Sequence, residues 1–287
     1  MSEPILPGRL VRMRALGPAE LPSHPLLASQ QSAEQTAPVP ANNFAQEALN
    51  EAHQFVTSYW PEKFTIKSKT KQSSPSTALV ELLSHEIPPK LLPPHTASEA
   101  WFARTSIHEN AAKAGTASWE EFDAGLRQDH SIHETDYTPD CIHAHQVLTW
   151  DDQSGGEVVG WQDVHMNIME MCHQLPAPLN KRVFSVLVIT GKKGDGEFIV
   201  VQIPVDTKGM PGTKYRDDKA FTPGMYVSVE RGALEDNGAN VKWQMGTASD
   251  AGGVLPMFLQ KLGVPGAVVK DVGLFIGWCE QRRQGKA

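Results

Sequence analysis

The sequence predicts an α+β fold, one antiparallel sheet bracketed by helices, and three observations carry that expectation. Strand-like segments fill residues 141–250: CIHAHQVLTW, VVGWQDVHMNIMEMCHQL, RVFSVLVITG, EFIVVQIPVD, GMYVSVERGAL and NVKWQMGTAS. Most of their connections, GKKGDG and EDNGAN among them, are too short for crossover helices and carry turn-forming Gly, Asp and Asn, so neighbouring strands must run antiparallel. Before and after this run lie stretches with helical apolar spacing, residues 44–60 and 254–281.

The chain has 287 residues, 40% hydrophobic and 21% charged, enough for a sizeable core. Its net charge of −7, with Lys and Arg scattered, leaves no basic footprint, so no nucleic-acid partner is expected. Cys141, Cys172 and Cys279 are odd in number and far apart. They spell neither a disulfide framework nor a CxxC metal site, and they fit the reducing cytoplasm. No apolar run reaches the roughly 18 residues that a membrane-crossing helix needs. Arg9, Arg12 and Arg14 stand near Glu3 and two prolines, so the N-terminal stretch reads as a leading arm rather than a targeting segment.

Residues 22–43, rich in Pro, Ser, Gln and Ala, read as a linker. The expected division is therefore a partly irregular arm and linker over 1–43 and a single domain over 44–284. Asn43 is placed to cap a helix over FAQEALNEAHQFVTSYW, whose stripe is Phe44, Leu49, His53, Phe55, Val56 and Trp60, and Pro61 is placed to stop it. KFTIKSKTK alternates like a strand, TALVELLSHEI fits either strand or helix, and AWFARTSIHE is strand-like again. Ser118 with Glu121 forms a capping box that opens a helix over WEEFDAGLRQDHS.

The closing segment is the least ordinary. Val268, Val272, Phe275, Ile276 and Cys279 recur at helical spacing and predict a buried face. Beside them runs a nearly bare row, Gly266, Lys270, Gly273 and Gly277, although each interior glycine costs about 1 kcal/mol relative to alanine. The bare row leaves two readings open, close approach of another group or a solvent face, and Pro265 predicts a kink. In RVFSVLVITG both faces are apolar, Phe184, Val186 and Val188 on one and Val183, Leu187 and Ile189 on the other. One face can pack on helices while the other lines an apolar space.

Taken in order, QLPAPLNKRVFSVLVITGKKGDGEFIVVQIPVD, YVSVERGAL and VKWQMGTASDAGGVLPMFLQKL resemble the second half of a START domain, the helix-grip lipid-binding fold. The matching features are Lys181 and Arg182 before a strand, the glycine turn at 191–196, and Asp250, Gly253, Leu255 and Pro256 entering the last helix. WFARTSIHENAAKAGTASWEEFDAGLRQDHSIHETDYTP looks more closely like an uncharacterised fungal START-like family. The resemblance covers about 100–280 well and 9–66 loosely. It implies a curved antiparallel sheet wrapped around a long kinked C-terminal helix, with an N-terminal helical extension. It also implies a cytoplasmic lipid carrier or transfer protein that holds one lipid, sterol or fatty-acid-like molecule in a hydrophobic cavity. Its partners would be that ligand and, transiently, a membrane surface, with no cofactor and no metal.

The expected lining is Trp101, Met169, Met171, Phe184, Val186, Val188, Trp243, Met245, Phe258, Leu262 and Val272. Arg104, His165 and Asn167 are polar candidates, and Glu230 and Arg231 point to opposite faces, with parity alone leaving open which one reaches the cavity. Cholesterol-binding members of the family resembled carry an acid and an arginine where Met169 and Val188 stand here, so an apolar wall and a greasier ligand are expected. Two alternatives stay open: a polyketide cyclase or aromatase-like enzyme on the same fold, and a ligand-gated interaction protein. His130, His133, Glu134, Asp136, His143 and His145 cluster in sequence, but HxxHE is not HExxH, and hydrogen-bonded histidines are the expected reading. With no GxSxG and Cys172 only adjacent to His173, no catalytic constellation is expected.

Overall fold

A computed structural model describes residues 8–31, 39–92, 98–151, 158–175, 179–252 and 257–286, the side chains of 257–262 excepted. Among the described residues, nine strands form one sheet: β1 (Thr65–Lys71), β2 (Val80–Ile87), β3 (Glu99–Glu109), β4 (Cys141–Thr149), β5 (Gln162–His173), β6 (Lys181–Lys192), β7 (Glu197–Pro204), β8 (Phe221–Glu235) and β9 (Asn240–Asp250). Their order is β1-β2-β3-β9-β8-β7-β6-β5-β4, so β3 lies against the last strand. Every ladder is antiparallel except a short parallel contact of Lys181–Phe184 with Phe221–Gly224. The turns act as the sequence requires. Gly194 (φ +64°) bends the chain between β6 and β7, and Asp236 and Asn237, also at positive φ, bend it between β8 and β9.

The helices are α1 (Ala41–Gln54), α2 (Trp60–Lys63), α3 (Trp119–Phe122), α4 (His130–Tyr137) and α5 (Met257–Arg283). Two expectations at α1 are corrected. The helix begins at Ala41 with Pro40, not Asn43, at the cap position, and Pro61 does not end it. A wide turn over Phe55–Tyr59, in which the Trp60 N–H reaches back to Phe55 O, carries the chain past the imide before it stops at Lys63. The Ser118–Glu121 capping box is present, but the helix it opens breaks at Gln128 and at Asp129, which is left-handed (φ 44°), and α4 then starts in a new direction.

Side chains alternate along strands, so the sheet carries a core on each face. On one face α1 and the N-terminal arm pack: Leu10, Val11, Leu16, Leu21 and Leu27 are buried with Phe44, Leu49 and Phe55 against Leu187, Ile189, Ile199 and Val201. The arm is pinned there by Leu16, which bridges Val205, and by Glu51 of α1, which accepts the N–H groups of Arg9, Leu10 and Val11. On the other face α5 lays Val268, Val272, Phe275, Ile276 and Cys279 against Val186, Val200 and Trp243. Full burial of each such apolar side chain contributes roughly 1.5–3 kcal/mol. The strands β6 and β7, covered on both sides, are accordingly almost continuously apolar.

The bare glycine row on α5 is where a loop comes close. The Gly273 N–H donates to Ser73 Oγ (2.8 Å), and that hydroxyl donates to Lys270 O (3.1 Å). A Cβ on Gly273 would stand 2.3 Å from Ser74 O. Gly266 meets nothing within 4 Å, so the row is a contact at one end and open at the other. Pro265, where a kink was expected, lies within the 27-residue helix. Among the described residues no helix is long and apolar enough to cross a membrane.

Candidate functional site

Between the α5 face of the sheet, α4 and α5 lies a cavity of about 280 Å³. Three groups of elements build it. The strands β8 and β9 contribute alternate residues, Tyr226, Ser228 and Glu230 from one and Trp243, Met245, Thr247 and Ser249 from the other. The helix α4 contributes His130, Glu134 and Tyr137, spaced i, i+4, i+7 on one face, which the break at Asp129 turns toward the sheet. From α5 come Val264, Ala267, Val268 and Asp271.

The floor is charged. Arg104, Met245 and Glu230 form one cross-strand row over β3, β9 and β8. The Arg104 guanidinium, 1% exposed, lies 3.8 Å above the Trp243 ring and 3.5 Å from Glu230 Oε1, and that oxygen also accepts from Trp243 Nε1 at 2.6 Å. Among the described residues, Arg104 Nε and Nη1 have no hydrogen-bond partner. His130 Nδ1–H donates to Leu126 O, and at Nε2 the ring meets the Gln202 amide at 2.9 Å. The Tyr226 hydroxyl donates to the same Gln202 side chain.

This burial shifts the groups that titrate. Glu134 is pushed up to about 8, first by burial and then by the charges of Asp271 and Glu230. Asp271 rises to about 6 through burial, with Arg104 opposing and Glu230 adding to the rise. Burial works against the charged form of Arg104, and Glu230 restores part of it. His173, at the cavity wall, is held down at about 4 by burial.

Of the residues expected from sequence, Arg104, Phe184, Trp243 and Met245 line this cavity. Met171, Val186 and Val272 lie in the apolar cluster around it. Trp101 lies on the other face, 4.7 Å from the Phe55 ring, and strand parity requires this: it is three residues from Arg104 on β3. His165 and Asn167, with Met169 and Val188, border a separate depression of about 390 Å³ near Arg127 and Asp163, where His165 is largely exposed and 3.3 Å from Asp151. The Phe258 and Leu262 side chains lie outside the described residues. Arg231 points away and pairs with Glu197 at 2.6 Å, which leaves Glu230 as the cavity group.

The expected wall without buried charge is corrected. Met169 pairs with Val186 and Val188 with Asn167, both away from the cavity floor, and the charge enters instead from β3 and β8. Sequence reasoning missed Glu134, Tyr137, Gln202, Tyr226 and Asp271 as cavity groups. Two had a readable signal: Asp271 interrupts the apolar arc Val268–Val272–Phe275, and Gln202 interrupts the run FIVVQIPV. The histidines His133 and His145 bond backbone carbonyls, Gln128 O and Gly212 O, at 2.9 and 2.8 Å.

Residues 101–279 match the family described as Protein of unknown function (DUF3074). The chain belongs to this family. No curated protein is significantly similar to it. The DUF3074 chain is similar in structure to human STARD10, with TM-score 0.57, 10% identity, and coverage of 82% of this chain and 81% of that one. It is likewise similar to human StAR-related lipid transfer protein 5, with TM-score 0.58, 11% identity, and coverage of 84% and 99%. At these identities the likeness is one of fold, and the fold is the START-like helix grip: a large antiparallel sheet, a long C-terminal helix and N-terminal helices.

Proposed function

We propose that this chain binds one hydrophobic molecule with a polar end in the cavity between sheet and α5, and carries it as a lipid-binding or lipid-transfer protein. The observation that carries the reading is a buried arginine, two of whose donor atoms no described residue engages, at the floor of an otherwise largely apolar and aromatic cavity. An orphaned buried donor costs about 1–3 kcal/mol, more when charged, and an oxygen from a ligand head would remove that cost. The cavity volume, at the lower end of the ~300–1,000 Å³ of small-molecule sites, favours a single-chain or compact ligand over a two-chain phospholipid. One of the structural neighbours is itself named a lipid transfer protein. The reading extends to a single START-like domain over 44–284, to cytoplasmic action with transient membrane contact, and to membership of a fungal START-like group.

Native mass spectrometry of the purified chain, followed by solvent extraction, tests it. A stoichiometric adduct that extracts as a fatty acid, sterol or single-chain lipid is the expected result. A chain that stays free after incubation with mixed lipids would overturn it.

A second reading has its own support. Glu134 and Asp271, with their affinity for protons raised, face the same space as Arg104 and Tyr137, a grouping suited to acid–base chemistry on a bound polyketide-like substrate. Turnover of such a substrate, lost in Asp271→Asn, would favour it over a carrier.

A further inference from the structure

The cavity wall holds a second constellation that ligand binding does not use. Glu134 of α4, Cys141 at the start of β4 and His173 at the end of β5 bring one carboxylate oxygen, one thiol sulfur and one imidazole nitrogen within 4.8 Å of one another. The placement follows from two local features. Cys141 and His173 are cross-strand partners at the open end of the β4–β5 ladder. The turn after α4, closed by the Cys141 N–H to Thr138 O (2.9 Å), folds Glu134 back over them.

We propose that Glu134 Oε2, Cys141 Sγ and His173 form a zinc site on the cavity wall. Three arguments converge. The donor set of thiolate, imidazole and carboxylate is the mixture of sulfur, nitrogen and oxygen that suits borderline Zn²⁺ and not Mg²⁺ or Ca²⁺. The charges balance: a carboxylate and a thiolate neutralise the dication, so the filled site adds no net charge to a buried wall. The groups are also available. Among the described residues, Glu134 Oε2 is buried without a hydrogen-bond partner and its nearest basic neighbour, His130, is 3.9 Å away, while Arg104 is engaged with Glu230. Neither ring nitrogen of His173 bonds a described residue; its ring packs edge-on to Phe184 at 5.4 Å. Zinc binding must displace the proton of the Cys141 thiol, which burial and then the Glu134 charge hold well above its ordinary range.

Three protein ligands leave one position of a four-coordinate zinc for water or for an oxygen of the cavity's occupant. The sequence expectation of no metal rested on the HxxHE and HxH histidines. Of the residues named in that cluster the proposed site takes only Glu134, and it draws its other ligands from the ends of two strands, a set that no local motif spells. The inference does not depend on the lipid reading, because the three ligands converge whether or not the cavity holds a lipid.

The test uses the full chain, produced with added zinc, dialysed against metal-free buffer and assayed by inductively coupled plasma mass spectrometry. Zinc affinity is then measured against a chromogenic chelator, and the cobalt(II) form is examined by absorption. The expected results are about one zinc per chain, a thiolate-to-cobalt charge-transfer band, and affinity at least ~10-fold weaker in Cys141→Ser and in His173→Gln. Cys172→Ala, whose sulfur lies on the opposite sheet face, retains the metal. Background zinc in the wild-type chain, a cobalt spectrum without the charge-transfer band, or undiminished affinity in both Cys141→Ser and His173→Gln would each overturn the proposal. If a variant fails to fold by circular dichroism, the wild-type stoichiometry and cobalt spectrum decide. Lipid extracted from the same samples is scored separately, so an empty cavity with bound zinc refutes only the lipid reading.

Discussion

The Arg104–Glu230 pair separates a structural ion pair from a ligand-reading one. Both groups are buried, with side-chain exposures of 1% and 9%, and the guanidinium also rests on Trp243. Glu230→Gln strips Arg104 of its counter-charge, and breaking a buried pair in this way costs about 3–5 kcal/mol. Arg104→Met leaves Glu230 with the Trp243 Nε1 hydrogen bond and with His130 at 4.0 Å, and should cost a comparable amount. In the double variant no unpaired charge remains, the methionine keeps most of the volume, and the amide oxygen can still accept from Trp243. Its loss should be about 1–2 kcal/mol, well below the sum of the singles. Urea unfolding of the four proteins measures this coupling. Native mass spectrometry of the folded double variant then reads function: the carrier reading expects an adduct lost or exchanged for one without a polar head. Additive singles would refute the pairing, and an unchanged adduct would refute Arg104 as the group that reads the ligand.

Three further perturbations test other parts of the account. Gly273→Ala should lose about 1–3 kcal/mol in urea unfolding because its Cβ meets the Ser74 carbonyl, whereas Gly266→Ala on the same row should gain up to about 1 kcal/mol; equal signs would refute the close-approach assignment. Ser228→Phe, which fills the cavity from β8, should abolish copurified ligand with little change in melting temperature, and retention of the ligand would place it elsewhere. Burial alone would raise the pKa of Glu197, but hydrogen bonds from His53 and Arg231 outweigh it and hold the carboxyl at about 2, below its ordinary 4.5. Its folded-state pKa is depressed, so its stabilisation is complete above about 4.5 and is lost as pH falls toward 2; Glu197→Gln should flatten the acid limb of a stability-against-pH curve.

How much of this was legible in the sequence depends on the range of the interaction. Alternation and short turns fixed six strands and their antiparallel sense, because side-chain period and turn chemistry act over a few residues. The apolar arc of α5 and the Ser118–Glu121 box were read the same way. What period cannot supply is which distant strands meet. Arg104 and Glu230 are 126 positions apart and become neighbours only because β3 and β8 flank β9 in one register. Trp101 shows the converse: a large aromatic suits either core, but its odd spacing from Arg104 on β3 puts it on the α1 face once Arg104 faces the cavity. The helix break at Asp129 turned His130, Glu134 and Tyr137 onto the cavity, where uninterrupted helical spacing would have directed them elsewhere. The sequence by itself determined a two-faced antiparallel sheet with a greasy closing helix, through local periodicity. Tertiary structure alone decided where the buried charge and the three metal-type ligands converge, since burial of such groups is tolerated only where residues remote in sequence arrive as partners.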